Sequence, residues 1–158
     1  MKRKWANILI VGSMIAIIVL LSVIYIPAKV EANENKREQA DMELLQKVKV
    51  AFESVLENDE AKEYIEGELE KKEELRYDIA WEKKVSFDLL KKWDVPVYNA
   101  VTDNLTDGQV FQAAVNGNTE VSLYVYYDKE LNVKVQFVNN STGDIVKGKY
   151  INKEMEIV

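Results

Sequence analysis

The chain has 158 residues, 21 basic and 27 acidic, for a formal net charge of −6, and it contains neither Cys nor His. An acidic surplus argues against a nucleic-acid binder, which needs excess Lys and Arg against phosphate. Without His or Cys there is no imidazole or thiolate chemistry, no disulfide and no ordinary zinc site; catalysis would rest on carboxylates, Lys, Ser or Tyr.

The first element is written in residues 1–27. Lys2, Arg3 and Lys4 are followed by 22 uncharged residues, 5–26, thirteen of them Ile, Leu or Val. As a helix this run would measure about 33 Å, against a hydrocarbon core of about 30 Å. It is too long for the apolar region of a cleaved signal peptide. The pattern predicts a transmembrane signal anchor, in the lipid bilayer through residues 5–26 and stopped by Pro27. Lys2, Arg3 and Lys4 favour a cytoplasmic N-terminus, which makes this a single-pass plasma-membrane protein with an extracytoplasmic C-terminal domain. Residues 28–39 read as a polar juxtamembrane spacer and 40–158 as that domain. Setting aside the three leading basic residues leaves 18 basic against 27 acidic residues, a net −9.

Leu44, Leu45, Val48, Ala51, Phe52, Val55 and Leu56 form one apolar face at a period near 3.6, predicting a helix over 40–57. Asn58 suits its end and Asp59 a new start, giving a second, heavily charged helix over 59–73. Only Ala61, Tyr64, Ile65 and Leu69 stripe it, and Glu68 with Lys72 is a favourable i,i+4 pair. At 75–81 the period changes to two, with Leu75, Tyr77, Ile79 and Trp81 alternating with Arg76, Asp78 and Ala80, which predicts a strand. Residues 86–93 read as a short helix with Ser86 as cap, stopped by Asp94, Val95 and Pro96. Residues 99–109 read as a loop. Its 103–108 stretch fails as a calcium loop, because Leu105 and Ala114 occupy ligand positions.

The clearest β signal spans 110–152. A strand from Val110 leads to the turn residues Asn116, Gly117 and Asn118. Val121, Leu123, Val125 and Tyr127 then share one face, and Ser122, Tyr124 and Tyr126 the other. A turn at 128–130 precedes Leu131, Val133, Val135 and Phe137, which alternate with Asn132, Lys134 and Gln136. A second turn at 139–144 precedes a last strand at 145–151. The result is a four-stranded antiparallel meander, with its aliphatic face on the 40–57 helix. Tyr124, Tyr126, Lys134 and Gln136 lie on the opposite, partly wet face and are the candidate partner-binding residues. Tyr124, Tyr126, Tyr127, Trp81 and Trp93 could alternatively line a ligand groove. No phosphate-binding loop and no Ser-x-x-Lys pair is present.

The stretch VKVQFVNNSTGDIVKG, residues 133–148, resembles the ending of PepSY and related cystatin-like exported domains, with a strand, the Thr142–Gly143 turn and a short final strand. That resemblance implies a small single-span protein of Gram-positive envelopes with a binding or inhibitory role. It supplies no catalytic residues. The helices-then-meander layout is also similar to an NTF2-like fold. The sequence therefore predicts an α+β protein: a transmembrane helix, then one or two helices on the meander, cystatin-like or NTF2-like. Its expected role is non-enzymatic, a protein-interaction module meeting a membrane or envelope protein, with no cofactor or metal. The alternatives are a small-molecule or peptide pocket, with Asp78, Glu82 and Asp88 as the acids of a carboxylate hydrolase, or an assembly component of a secretion, competence or conjugation machine.

Overall fold

The computed structural model describes residues 2–81, 84–110, 121–151 and 153–158. It divides into two units, Met1–Lys36 and Arg37–Val158. Helix α1 (Lys2–Val55) is 54 residues long and contains Pro27. The membrane-spanning helix predicted for 5–26 is not found. Among the described residues, no helix is long and apolar enough to cross a membrane. The apolar run is instead the opening of a much longer helix, whose later turns carry Lys29, Glu31, Glu34, Lys36 and Arg37. Nor does Pro27 end the helix or 28–39 form a separate spacer. Proline removes one helical hydrogen bond, whereas 28–47 is rich in Ala, Glu, Lys, Gln and Leu, all strong helix formers.

The second unit is α+β. After α1 come α2 (Asp59–Leu69), β1 (Glu74–Asp78), β2 (Ala80–Trp81), β3 (Lys84–Val85), α3 (Asp88–Trp93), α4 (Val95–Thr102), β4 (Val121–Asp128), β5 (Val133–Asn139) and β6 (Glu156–Ile157). The main sheet is antiparallel in the order β1-β4-β5-β6, and β2 with β3 forms a small second sheet. This differs from the predicted meander. The β4–β5 hairpin forms as read, with Val125 opposite Val135 and Tyr126 opposite Lys134. Its outer neighbour is β1, with Arg76 opposite Tyr126. The predicted strand at 145–151 does not form. Ile145 makes one isolated bridge to Val138, and only the short β6 pairs with β5. The Val110 strand and its turn at 116–118 fall mostly on 111–120, outside the described residues.

Among the described residues there are four helices. α3 lies within the short helix read at 86–93, and α4, which was not expected, follows it directly at Asp94. Residues 99–102, read as loop, belong to α4. Pro96 sits in the first turn of α4, where its missing N–H has no helical partner to lose. Val97, Ala100 and Val101 give α4 a buried face at helical spacing. Asn58 caps α2 by accepting from the Ala61 N–H at 3.0 Å. Glu68 pairs with Lys72 as predicted, and also with Lys71, both at 2.9 Å. These two ammonium groups hold the Glu68 carboxyl down at about 2. The Tyr64 hydroxyl of α2 donates to the Asp94 carboxylate and ties α2 to the α3–α4 junction.

The apolar face of α1 reads true. Leu44, Leu45, Val48, Ala51, Phe52 and Val55 are all buried and share one core with Leu123, Val125, Tyr127, Val135 and Phe137 of the sheet. Where α1 ends, each of its last four carbonyls needs a partner. Leu56, Glu57 and Asn58 donate back to Glu53, Ser54 and Val55. Phe52 is served from the sheet, by the Tyr127 hydroxyl at 2.6 Å. Burial pushes that hydroxyl above the ordinary phenol range, so it stays a donor. Phe52, Tyr77 and Tyr127 pack with ring centroids 6.2–6.3 Å apart. Tyr127→Phe should therefore cost about 1–3 kcal/mol in urea unfolding, because it strands a buried carbonyl while leaving the ring in place. An unchanged midpoint would mean that water satisfies Phe52 equally well.

Candidate functional site

The inner face of the sheet, with Leu75, Tyr77, Leu123, Val125, Tyr127, Val135 and Phe137, is core. Strand alternation sends Arg76 and Asp78 of β1, Ser122, Tyr124 and Tyr126 of β4, and Lys134 and Gln136 of β5 to the other face. The pairing of β1 with β4 and β4 with β5 then brings these residues together. The Arg76 guanidinium lies 4.7 Å from the centre of the Tyr124 ring. The Lys134 ammonium lies 4.8 Å from that of Tyr126. The two rings meet edge to face, with centroids 6.0 Å apart and planes at 79°. The result is a row of cation, ring, ring and cation across three strands. Each cation–π contact contributes about 0.5–1 kcal/mol at an exposed site.

Tyr124, Tyr126 and Lys134 are half-buried and remain within reach of a partner. Gln136 is only 7% exposed. Its Nε2 donates to the Tyr126 hydroxyl at 3.2 Å, so it braces that ring from beneath rather than offering a contact. Among the described residues its Oε1 has no partner. Burial, and more weakly the nearby Glu74, raises the Tyr126 hydroxyl pKa against the opposing pull of Arg76. Tyr126 therefore keeps its proton and can donate it. Arg76 was not among the candidates. Its alternation with Leu75 and Tyr77 puts it on a strand face, but only the non-local β1–β4 pairing puts it beside Tyr124.

The proposed aromatic groove is not assembled from its five residues. Tyr127 points into the core, and Trp93 lies exposed on α3 with Lys92 over its ring. The three suspected acids fare differently. Glu82 lies outside the described residues. Asp78 and Asp88 do line one concavity of about 300 Å³, with Ala80, Ser86 and Leu89. Asp78 is occupied, however. Its carboxylate accepts from the Ala80 N–H at 3.2 Å and from the Ser122 hydroxyl at 3.0 Å. That turns the chain from β1 into β2. Asp88 is exposed on the first turn of α3, where its N–H donates to the Ser86 hydroxyl at 3.4 Å. Asp107, from the stretch compared with a calcium loop, accepts the Phe87 N–H at 2.9 Å. Among the described residues no group of three acidic side chains could hold a metal ion.

No family model matches the chain, and no curated protein or solved structure matches it either.

Burial raises the Asp78 carboxyl above its ordinary value, against the opposing effect of its two hydrogen bonds and of Arg76. The folded state thus holds that proton more tightly than the unfolded chain. Its stabilising contribution is complete below the ordinary carboxylate pKa of about 3.9 and is lost as pH rises through the raised folded value. Asp78→Asn keeps the shape, still accepts from Ala80 and removes the buried charge. It should unfold at a urea concentration no lower than the parent at pH 7, with the advantage shrinking toward pH 4. A variant weaker than the parent at pH 7 would mean that the charged hydrogen bonds outweigh the burial.

Proposed function

We propose that this protein is a non-enzymatic protein-interaction module of the bacterial cell envelope, and that it meets its partner through the outer face of the β1-β4-β5 sheet. One observation carries the reading. Tyr124, Tyr126, Arg76 and Lys134 converge on an open sheet face, each ring covered by a cation. Tyr and Arg are enriched where interface energy concentrates, since each presents large area with a polar end. The stacking also holds the four side chains in place before binding, which lowers the entropy lost on association. Against catalysis stands Asp78, whose hydrogen bonds to Ala80 and Ser122 leave it serving the β1–β2 turn. The envelope location rests on the sequence, on the likeness of residues 133–148 to the ending of PepSY and cystatin-like exported domains.

A photo-crosslinking amino acid at position 126, and a control at exposed Glu63 of α2, test this in cells. A partner should be trapped from position 126 and not from 63. Tyr124→Ala with Tyr126→Ala should then weaken capture by roughly tenfold or more, while the circular dichroism of the domain is retained. Equal trapping at both positions, or unfolding of the double variant, would remove the outer face as the contact surface.

A further inference from the structure

The end of the chain is fastened by one side chain. Glu38 of α1 is 6% exposed. Its carboxylate accepts three consecutive backbone N–H groups, from Lys149 at 2.8 Å and from Tyr150 and Ile151 at 2.9 Å each. Consecutive N–H groups turned toward one point form an anion-binding concavity. Hydrogen bonds to a charged acceptor are the stronger kind. The Lys149 ammonium is turned instead toward the Tyr150 ring, 5.3 Å from its centre. Gly148 leaves the concavity room. A Cβ there would stand 2.9 Å from the Glu38 Oε2 and 2.6 Å from the Ile151 Cγ1.

What this turn holds down is thin. Residues 145–151 and 153–158 lie along β5 through few bonds. Val146 donates to the Phe137 carbonyl at 2.9 Å, and Phe137 donates to that of Met155 at 3.0 Å. Within the segment, Met155 donates to Val146 and Gly148 to Lys153, both at 2.8 Å. β6 adds only two paired residues. Met155 is the segment's fully buried anchor. Without this segment, the Phe137 N–H on the edge of β5 would lose its acceptor, the Met155 carbonyl.

We propose that the 148–151 turn is a carboxylate receptor filled in cis by Glu38, and that filling or emptying it fastens or frees the strap of residues 145–151 and 153–158 along the edge of β5. The ligand class is a single carboxylate, because the three convergent N–H groups fill three of its roughly four acceptor sites, and it already lies so near Gly148 that a Cβ there would stand 2.9 Å from the Glu38 Oε2. The device is independent of the outer-face contact.

Amide hydrogen exchange on the full chain tests it. In Glu38→Ala, exchange at Phe137, Gly148 and Met155 should rise roughly ten- to a hundredfold, while Tyr77 and Val125 keep their protection. Excess sodium formate, but not sodium chloride at equal ionic strength, should restore the slow exchange. Gly148→Ala should free the strap in the same way but gain nothing from formate, because its receptor is blocked. If Glu38→Ala does not fold, Glu38→Gln serves, with a smaller rise at the same three amides. Unchanged strap amides, equal loss of protection across the sheet, or a freed strap that ignores formate would each overturn the proposal.

Discussion

The Tyr127 hydroxyl reaches across the core to the carbonyl of Phe52, and the layering of the second unit depends on that meeting of helix end and sheet. An α-helix leaves its last carbonyls without partners, and a buried helix end must find them elsewhere. Here three are closed by the tightened turn into Asn58, and the fourth by a side chain from β4. The bond sets where the α1 stripe lies on the strands. The Leu45, Val48 and Phe52 side chains are then fully buried over Leu123, Val125 and Tyr127. The apolar burial supplies most of the driving force, and the hydrogen bond supplies position.

Covering one face of a sheet commits the other. With the odd-numbered residues of β4 and β5 buried under α1, the even-numbered ones must live on the far side without a helix over them. Their chemistry reflects this. Tyr124 and Tyr126 keep rings that pack with each other and with cations, so they need no apolar cover. Gln136 and Ser122 are buried beneath them by their neighbours and spend their polar groups locally, on Tyr126 and Asp78. The outer face is thus held rigid by polar contacts, and that rigidity is what the interaction reading draws on.

Much of this was legible locally. The period-3.6 stripe from Leu44 to Leu56, the cap at Asn58 and the alternation through β4 and β5 are signals within a few residues, and each forms as read. The failures have identifiable causes. A proline that could end a helix sits inside α1 at Pro27, among strong helix formers, and another opens α4 at Pro96. The uncharged run at 5–26 carries a membrane-length signal on its own, yet it belongs to a helix more than twice that length. Arg76 joins Tyr124 only because β1 skips past β2, β3, α3 and α4 to pair with β4, and no local pattern reports such a pairing. The 145–151 stretch alternates well enough for a strand. It turns away at 149–151, where Glu38, 111–113 residues earlier, takes the three N–H groups.

The two edges of the sheet show why that distant capture matters. An open edge exposes unpaired N–H and C=O groups and invites another strand. β1 bears Glu74, Arg76 and Asp78 along its length, and charges on an edge strand discourage such pairing. β5 has the opposite character. Val133, Val135, Phe137 and Val138 are all buried, and a bare edge beside them would be adhesive. Charge cannot protect it without spoiling the core, so it is covered by chain instead. Two paired residues of β6 are a weak cover on their own. A carboxylate delivered from the far end of the domain, by a helix already anchored over the core, supplies the missing hold. It also makes closure of the edge dependent on α1 being docked, since Glu38 lies on the same helix as Leu45 and Phe52.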